Sequence, residues 1–213
     1  TSGGTEANRL VLENVEKLGA GKKIIISSIE HSSIIKNSYI IENKDANVIH
    51  IPVNAEGLVD LEFLKKSITA DTALVSVMMV NNEIGTIEPI HEIAKIVRDA
   101  GKRFNTKILF HTDACQAPAY LPIHVEKLGI DLLTLDAGKI YGPRGMGMLY
   151  VKRGNLEITR AGTENVPGIM GFAYALELAD KMRERENVRI SELKRIFIDE
   201  LKKIKPEIKI NAN

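Results

Sequence analysis

Short runs of strand-forming residues alternate with helical segments along most of the chain, and no other feature restricts the fold as tightly. The run at 72–80 is almost continuously apolar, and a strand with no polar face belongs inside a parallel sheet covered on both sides. Around it, residues 23–28, 48–53, 107–110 and 132–135 read as strands, while 32–43, 60–67, 89–100 and 124–128 read as helices. Repeated strand-then-helix order predicts a mainly parallel sheet wrapped by helices, an α/β/α fold. At the start, TSGGTEAN gives way to a helical pattern in Leu10, Val11, Val15 and Leu18 that Gly19 and Gly21 end. At the other end, 166–204 reads as a long, highly charged helical region leading into a second domain. The division expected is therefore 1–176 for a large domain and 177–213 for the beginning of a smaller C-terminal α/β domain. Residues 208–213 read as a strand without a partner, and both ends are expected to be cut from a longer protein.

Composition narrows the function classes. Twenty-nine basic side chains against 28 acidic ones leave a net charge of +1, which gives no electrostatic reason for direct nucleic-acid binding. The apolar runs are too short to cross a bilayer, so no membrane partner is expected. Cys115 is the only cysteine, so no intrachain disulfide can form and a reducing compartment, the cytoplasm, is expected.

Position follows from the fold class. In open α/β sheets ligands sit beyond the carboxyl ends of the strands, and His31, Asn82, His111, Asp113, Gln116 and Lys139 each follow a predicted strand. Lys139 lies between an apolar strand and a glycine-rich hairpin, and a partly desolvated lysine is a candidate for Schiff-base chemistry with a carbonyl. Small residues before a helix leave N–H groups free for an anion. Pyridoxal 5'-phosphate needs a lysine, an acid near its ring nitrogen, a flat group on its ring, donors near its hydroxyl and a phosphate site. Lys139, Asp113, His31, Asn82 with Gln116, and the 1–5 loop with Gly4 and Thr5 are candidates for these roles in that order. The pair His111 and Asp113 lacks the further ligands that a metal site requires, and no metal is expected. Cys115 reads as a small buried hydrophobe, and His50, His91 and His124 as surface or packing residues.

Six pieces occur in order: TSGGTEAN, SSIEHSSI, VNNEIGTIEPI, FHTDACQA, KIYGPRGMGMLYV and RAGTENVPGI. Together they resemble the cysteine desulfurases of the NifS/IscS type, class V aminotransferase-like enzymes of the fold-type I pyridoxal phosphate group. The resemblance implies that Lys139 forms the Schiff base, Asp113 pairs with the ring nitrogen, and His31 stacks on the ring and moves protons. Asn82 and Gln116 would contact the ring and Thr5 the phosphate. Thr163 would reach the phosphate of a partner subunit, which implies a homodimer. The activity implied is removal of sulfur from L-cysteine to give L-alanine and an enzyme persulfide. Its sulfur would pass to an acceptor protein, an iron–sulfur scaffold or a tRNA- or cofactor-thiolation enzyme.

The chain departs from that pattern. The persulfide cysteine falls beyond Asn213, so these 213 residues alone are expected to form no persulfide. Asp136 and Gly138 stand where a phosphate-binding serine and histidine are usual, and an aspartate there is expected to point away from phosphate. The stretch between Arg153 and Arg160 is shorter than in the family. A selenocysteine lyase or another class V enzyme would share the lysine and aspartate, and a non-catalytic scaffold would share the fold.

Overall fold

The computed structural model describes residues 1–16, 22–42 and 46–210. The predicted helix end at Leu18, Gly19 and Gly21, Asn43, and the tail at 211–213 lie outside the described residues.

Six strands form one sheet: β1 (Lys23–Ser27), β2 (Asn47–Ile51), β3 (Thr72–Ser76), β4 (Leu109–Asp113), β5 (Leu132–Asp136) and β6 (Gly147–Val151). Their spatial order is β2-β1-β3-β4-β5-β6. The first five are parallel, and β6 runs antiparallel to β5, joined by the predicted hairpin. Successive side chains in a strand point to opposite faces, so each apolar strand feeds two cores. Ile24, Ile26, Leu74, Leu109 and Leu132 pack with Val11, Leu12 and Val15 of α1 (Gly4–Glu16) and with Ile34 and Ile41 of α2 (Ser32–Glu42). Ile25, Val75, Phe110 and Leu133 share the other core with Leu64 of α3 (Leu61–Ser67) and Ile90, Ile93, Ala94 and Val97 of α4 (Ile90–Phe104). Phe172 and Ala175 of the last helix join this second core. The result is the layered, mainly parallel architecture that the alternation predicts.

Local chemistry sets the boundaries. Asp60 caps α3 by accepting from the Glu62 and Phe63 amides at 2.9 Å each. Asn105, in the left-handed conformation at φ 50°, ends α4 four residues beyond the predicted stop. α5 (Val125–Leu128) is a single turn after His124.

Two boundaries differ from expectation. The apolar run at 72–80 is strand only as far as Ser76. Beyond it the Val77 and Met79 amides donate to the His111 and Asp113 carbonyls at 3.1 and 2.9 Å, so the run stays buried while it wraps the end of β4. Conversely, β4 continues to Asp113 rather than ending at Phe110, which puts His111, Thr112 and Asp113 inside the strand.

α6 (Val166–Ile204) is one helix of 39 residues. It passes residue 176, where the sequence suggests a domain division, without a break. Its buried residues are Gly168, Phe172 and Ala175, whereas Val188, Leu193, Phe197 and Ile204 farther along are exposed. Residues 208–210 form no strand.

Candidate functional site

The chain leaves β1 toward β2 and later returns to the opposite side of β1 as β3, so the connections diverge at the carboxyl end of the sheet. A crevice opens where connections diverge in this way. A cavity of about 290 Å³ lies at this end. Gly4, Thr5 and Asn8 from the start of α1 line one wall, and His31 and Ser33 after β1 line another. Asn82 follows β3, Asp113, Cys115 and Gln116 come from the end of β4, and Asp136 and Lys139 from the end of β5. Every residue singled out for cofactor binding except Thr163 therefore borders one space. Thr163 is exposed and borders a separate concavity of about 640 Å³ with Thr1, Ser2 and Arg160.

One end of the cavity is held by a polar chain. Asp113, 6% exposed, accepts from the Cys115 amide through Oδ1 at 3.0 Å and from Asn8 Nδ2 through Oδ2 at 2.7 Å. Asn8 Nδ2 donates its second hydrogen to Ser33 Oγ at 2.8 Å. The Ser33 amide donates to His31 Nδ1 at 3.2 Å, and Ser33 Oγ lies 2.8 Å from the same nitrogen. Because Nδ1 accepts, the proton of a neutral His31 ring sits on Nε2. Asn8 and Ser33 thus tie the aspartate to the histidine.

At the other end Asp136 does not point away from the helix start. Its Oδ2 accepts from the Gly4 amide at 2.9 Å and its Oδ1 from the Gly138 amide at 2.8 Å. The latter bond caps the 3-10 turn Ala137–Ile140 that carries Lys139. Packing here leaves no room for side chains: a Cβ on Gly4 would lie 2.7 Å from Cys115 Sγ, and one on Gly147 would lie 2.5 Å from the Gly3 carbonyl carbon. The Thr1 carbonyl also accepts from the Gly147 amide at 2.8 Å, fastening the start of the chain to β6.

Lys139 is exposed at the cavity mouth, not desolvated as the sequence suggests. His111 does not reach the rim: it is fully buried, with Nδ1 2.8 Å from Ser76 Oγ and Nε2 3.0 Å from Thr134 Oγ1. Burial lowers its pKa to about 4, opposed by the Asp113 charge. Cys115 borders the cavity, and burial, then the Asp113 and Asp136 carboxylates, push its thiol far above the usual range, which makes it a poor nucleophile.

Sequence reasoning passed over Asn8, Ser33 and Glu30. Asn8 follows Gly4 by four residues, so the two share a helix face, a signal hidden while the helix was started at Leu10. Ser33 was visible only as a residue two after His31. Glu30 is buried beneath the cavity, its Oε1 accepting from Ser27 Oγ at 2.7 Å and the Met78 amide at 2.6 Å. Burial raises its pKa to about 8; the Ser27 bond opposes this and the Asp113 charge adds to it.

Comparison with known proteins accounts for the arrangement. The aminotransferase class-V family pattern matches residues 1–160. The chain belongs to the aminotransferase class-V family. Among the class-V relatives, the cysteine desulfurase IscS of Dictyoglomus turgidum is 40% identical over 225 residues, covering 100% of this chain and 56% of the relative. The cysteine desulfurase IscS of Methanosarcina thermophila is 39% identical over 226 residues, covering 100% of this chain and 54% of the relative. A solved NifS-like protein superimposes with a TM-score of 0.91 at 32% identity, over 96% of this chain and 59% of its own. The NifS-like protein of Rickettsia africae gives 0.83 at 36% identity, over 100% of this chain and 59% of its own. A structure described as SspA in complex with cysteine gives 0.76 at 32%, over 83% and 54%. The chain spans about half the length of the curated relatives it matches. Among the described residues, no helix of this class-V chain is long and apolar enough to cross a membrane.

Proposed function

We propose that the whole protein is a pyridoxal phosphate-dependent cysteine desulfurase that takes sulfur from L-cysteine, releases L-alanine and hands the sulfur to an acceptor protein. The observation that carries this reading is the meeting of Lys139, Asp113 and His31 around one cavity in a class-V chain whose relatives carry that name. The SspA structure, described as a complex with cysteine, supports the substrate. The same reading extends to a homodimer with Thr163 facing the partner's site, a cytoplasmic location, and a small C-terminal domain beginning near residue 177.

The cavity fits the cofactor at one end only. A buried aspartate held by two donors suits a protonated pyridine nitrogen, Lys139 offers an amine at the mouth, and His31 presents a ring with its Nε2 proton free of the Ser33 contact. The phosphate end does not fit as it stands, because the Gly4 and Gly138 amides already serve Asp136. The chain's own contributions are therefore positional. Asp113 presents its carboxylate at the cavity floor, Asn8 and Ser33 fix His31 for proton transfer through Nε2, and Lys139 supplies a primary amine.

Adding pyridoxal phosphate to the purified protein is expected to give a visible absorption band that Lys139→Ala abolishes, and the full-length protein is expected to form alanine from L-cysteine. A full-length protein that gives no band, or alanine from L-selenocysteine alone, would overturn the assignment.

A further inference from the structure

The start of α1 already has carboxylates beside it. Asp136 is the last residue of β5, and its two carboxylate oxygens bridge two elements, taking the Gly4 amide at the first turn of α1 and the Gly138 amide beside Lys139. Glu6 Oε2 takes the Ser2 amide at 2.5 Å, and Glu6 is in turn paired with Arg160 at 3.4 Å. A helix start offers partial positive charge and free N–H groups to one anion, and here side chains of the protein already provide it. The approach is close: a Cβ on Gly3 would lie 3.1 Å from Asp136 Oδ2, so a side chain at position 3 would crowd the carboxylate.

A phosphate brought to this place would meet the Asp136 carboxylate and find the Gly4 and Gly138 amides in use. Two like charges that close repel appreciably even where solvent screens them. A neutral side chain at 136 would remove the like charge and hold the two amides less tightly, so that an incoming anion can compete for them.

We propose that Asp136 is a specificity-determining residue, the resident anion of the α1 N-terminus, so that the cavity selects an unphosphorylated aromatic aldehyde over its phosphorylated counterpart. The aldehyde preference takes from the proposed reading only the cavity of Lys139, Asp113 and His31 and replaces its phosphorylated cofactor by an unphosphorylated one, while the occupancy of the helix start by Asp136 depends on neither. A phosphorylated ligand enters only by displacing the carboxylate from the Gly4 and Gly138 amides.

Two measurements test this in the wild type, Asp136→Ser and Asp136→Asn, the asparagine keeping an acceptor of the same shape should the serine variant fail to fold. In the first, inorganic phosphate is titrated while the Gly4 and Gly138 amide resonances are followed. Phosphate is expected to shift both amides in the variants at concentrations that leave the wild type unmoved, and equal shifts in wild type and variants would overturn the proposal. In the second, Kd is measured for pyridoxal and for pyridoxal phosphate. The ratio of the two is expected to move toward the phosphorylated ligand by about thirtyfold in either variant, from the loss of one close charge pair. A wild type that prefers pyridoxal phosphate to pyridoxal, or a ratio unchanged by substitution, would overturn it. If neither aldehyde binds in a Lys139-dependent way, the cofactor reading and the aldehyde preference fall together, and the phosphate titration still decides whether Asp136 fills the helix start.

Discussion

The two ends of the cavity use the same kinds of groups to opposite effect. At the floor, Asp113 is buried and satisfied by Asn8 and the Cys115 amide, and the chain of contacts runs outward through Ser33 to His31. At the helix start, Asp136 is satisfied by Gly4 and Gly138 and the contacts run inward, closing the donors off. A carboxylate that is tied down from behind leaves its charge available to a ligand. One that is tied down by the site's own donors competes with the ligand for them. The contrast teaches that the presence of an acid near a cofactor-like cavity says little until its partners are known.

The comparison can be broken most severely at the floor. Asp113→Ala removes the shared acceptor and leaves one hydrogen of the buried Asn8 amide and the Cys115 N–H without a partner, while Asn8 keeps its bond to Ser33. A loss of about 2 kcal/mol of stability is expected from such a deletion, read by urea denaturation, together with loss of ligand binding. A change below the error of the fit would mean that the chain of contacts is dispensable.

A second test asks how many charges the floor carries. The Glu30 pKa is raised from 4.5 to about 8, chiefly by burial. A group that holds its proton more tightly in the folded state contributes stability that is fully present below about pH 4.5 and is lost as pH rises through about 8. Glu88, raised to about 7 mainly by burial, has the same sign. His111, lowered to about 4, acts the other way, its contribution being lost as pH falls from 6.5 through 4. Between pH 7 and 8 His111 is largely neutral in both states, so stability there should fall by on the order of 1 kcal/mol per pH unit from Glu30. Glu30→Gln should flatten this slope, and a slope unchanged by the substitution would contradict a protonated Glu30.

A smaller effect is expected from Ser33→Ala, which removes the hydroxyl between Asn8 and His31 but keeps the Ser33 amide on Nδ1. A cost of about 1 kcal/mol is expected, with the His31 tautomer retained in nitrogen NMR; a swap to the Nδ1–H form would show that the hydroxyl and not the amide sets it. A comparably small change is expected in Asp136→Asn. Its one amide oxygen can accept from Gly4 or from Gly138 but not from both, so one hydrogen bond and the charge–dipole part are lost, about 1 kcal/mol, measurable as a small shift in Tm.

Much of this was legible in the chain. Almost continuously apolar runs and their helical spacers specify a covered parallel sheet, because such strands need burial on both faces, and the sheet places strand ends on one rim. His31, Asn82, Asp113, Gln116 and Lys139 on that rim could be named for the same reason, whereas Asn8 and Ser33, which follow no strand directly, could not. Other features needed the third dimension. The 72–80 run and β4 trade lengths because burial, which composition reports, is not the same as sheet pairing, which depends on neighbours. His111 and Asp113 are two apart on one strand, yet one crosslinks Ser76 to Thr134 and the other borders the cavity, since the strand's end decides where the rim begins. Asp136 was expected to turn from the helix start on charge alone. Only the tertiary structure, by bringing the Gly4 and Gly138 amides within 2.9 and 2.8 Å of its oxygens, decided that hydrogen bonds and the helix dipole hold it there.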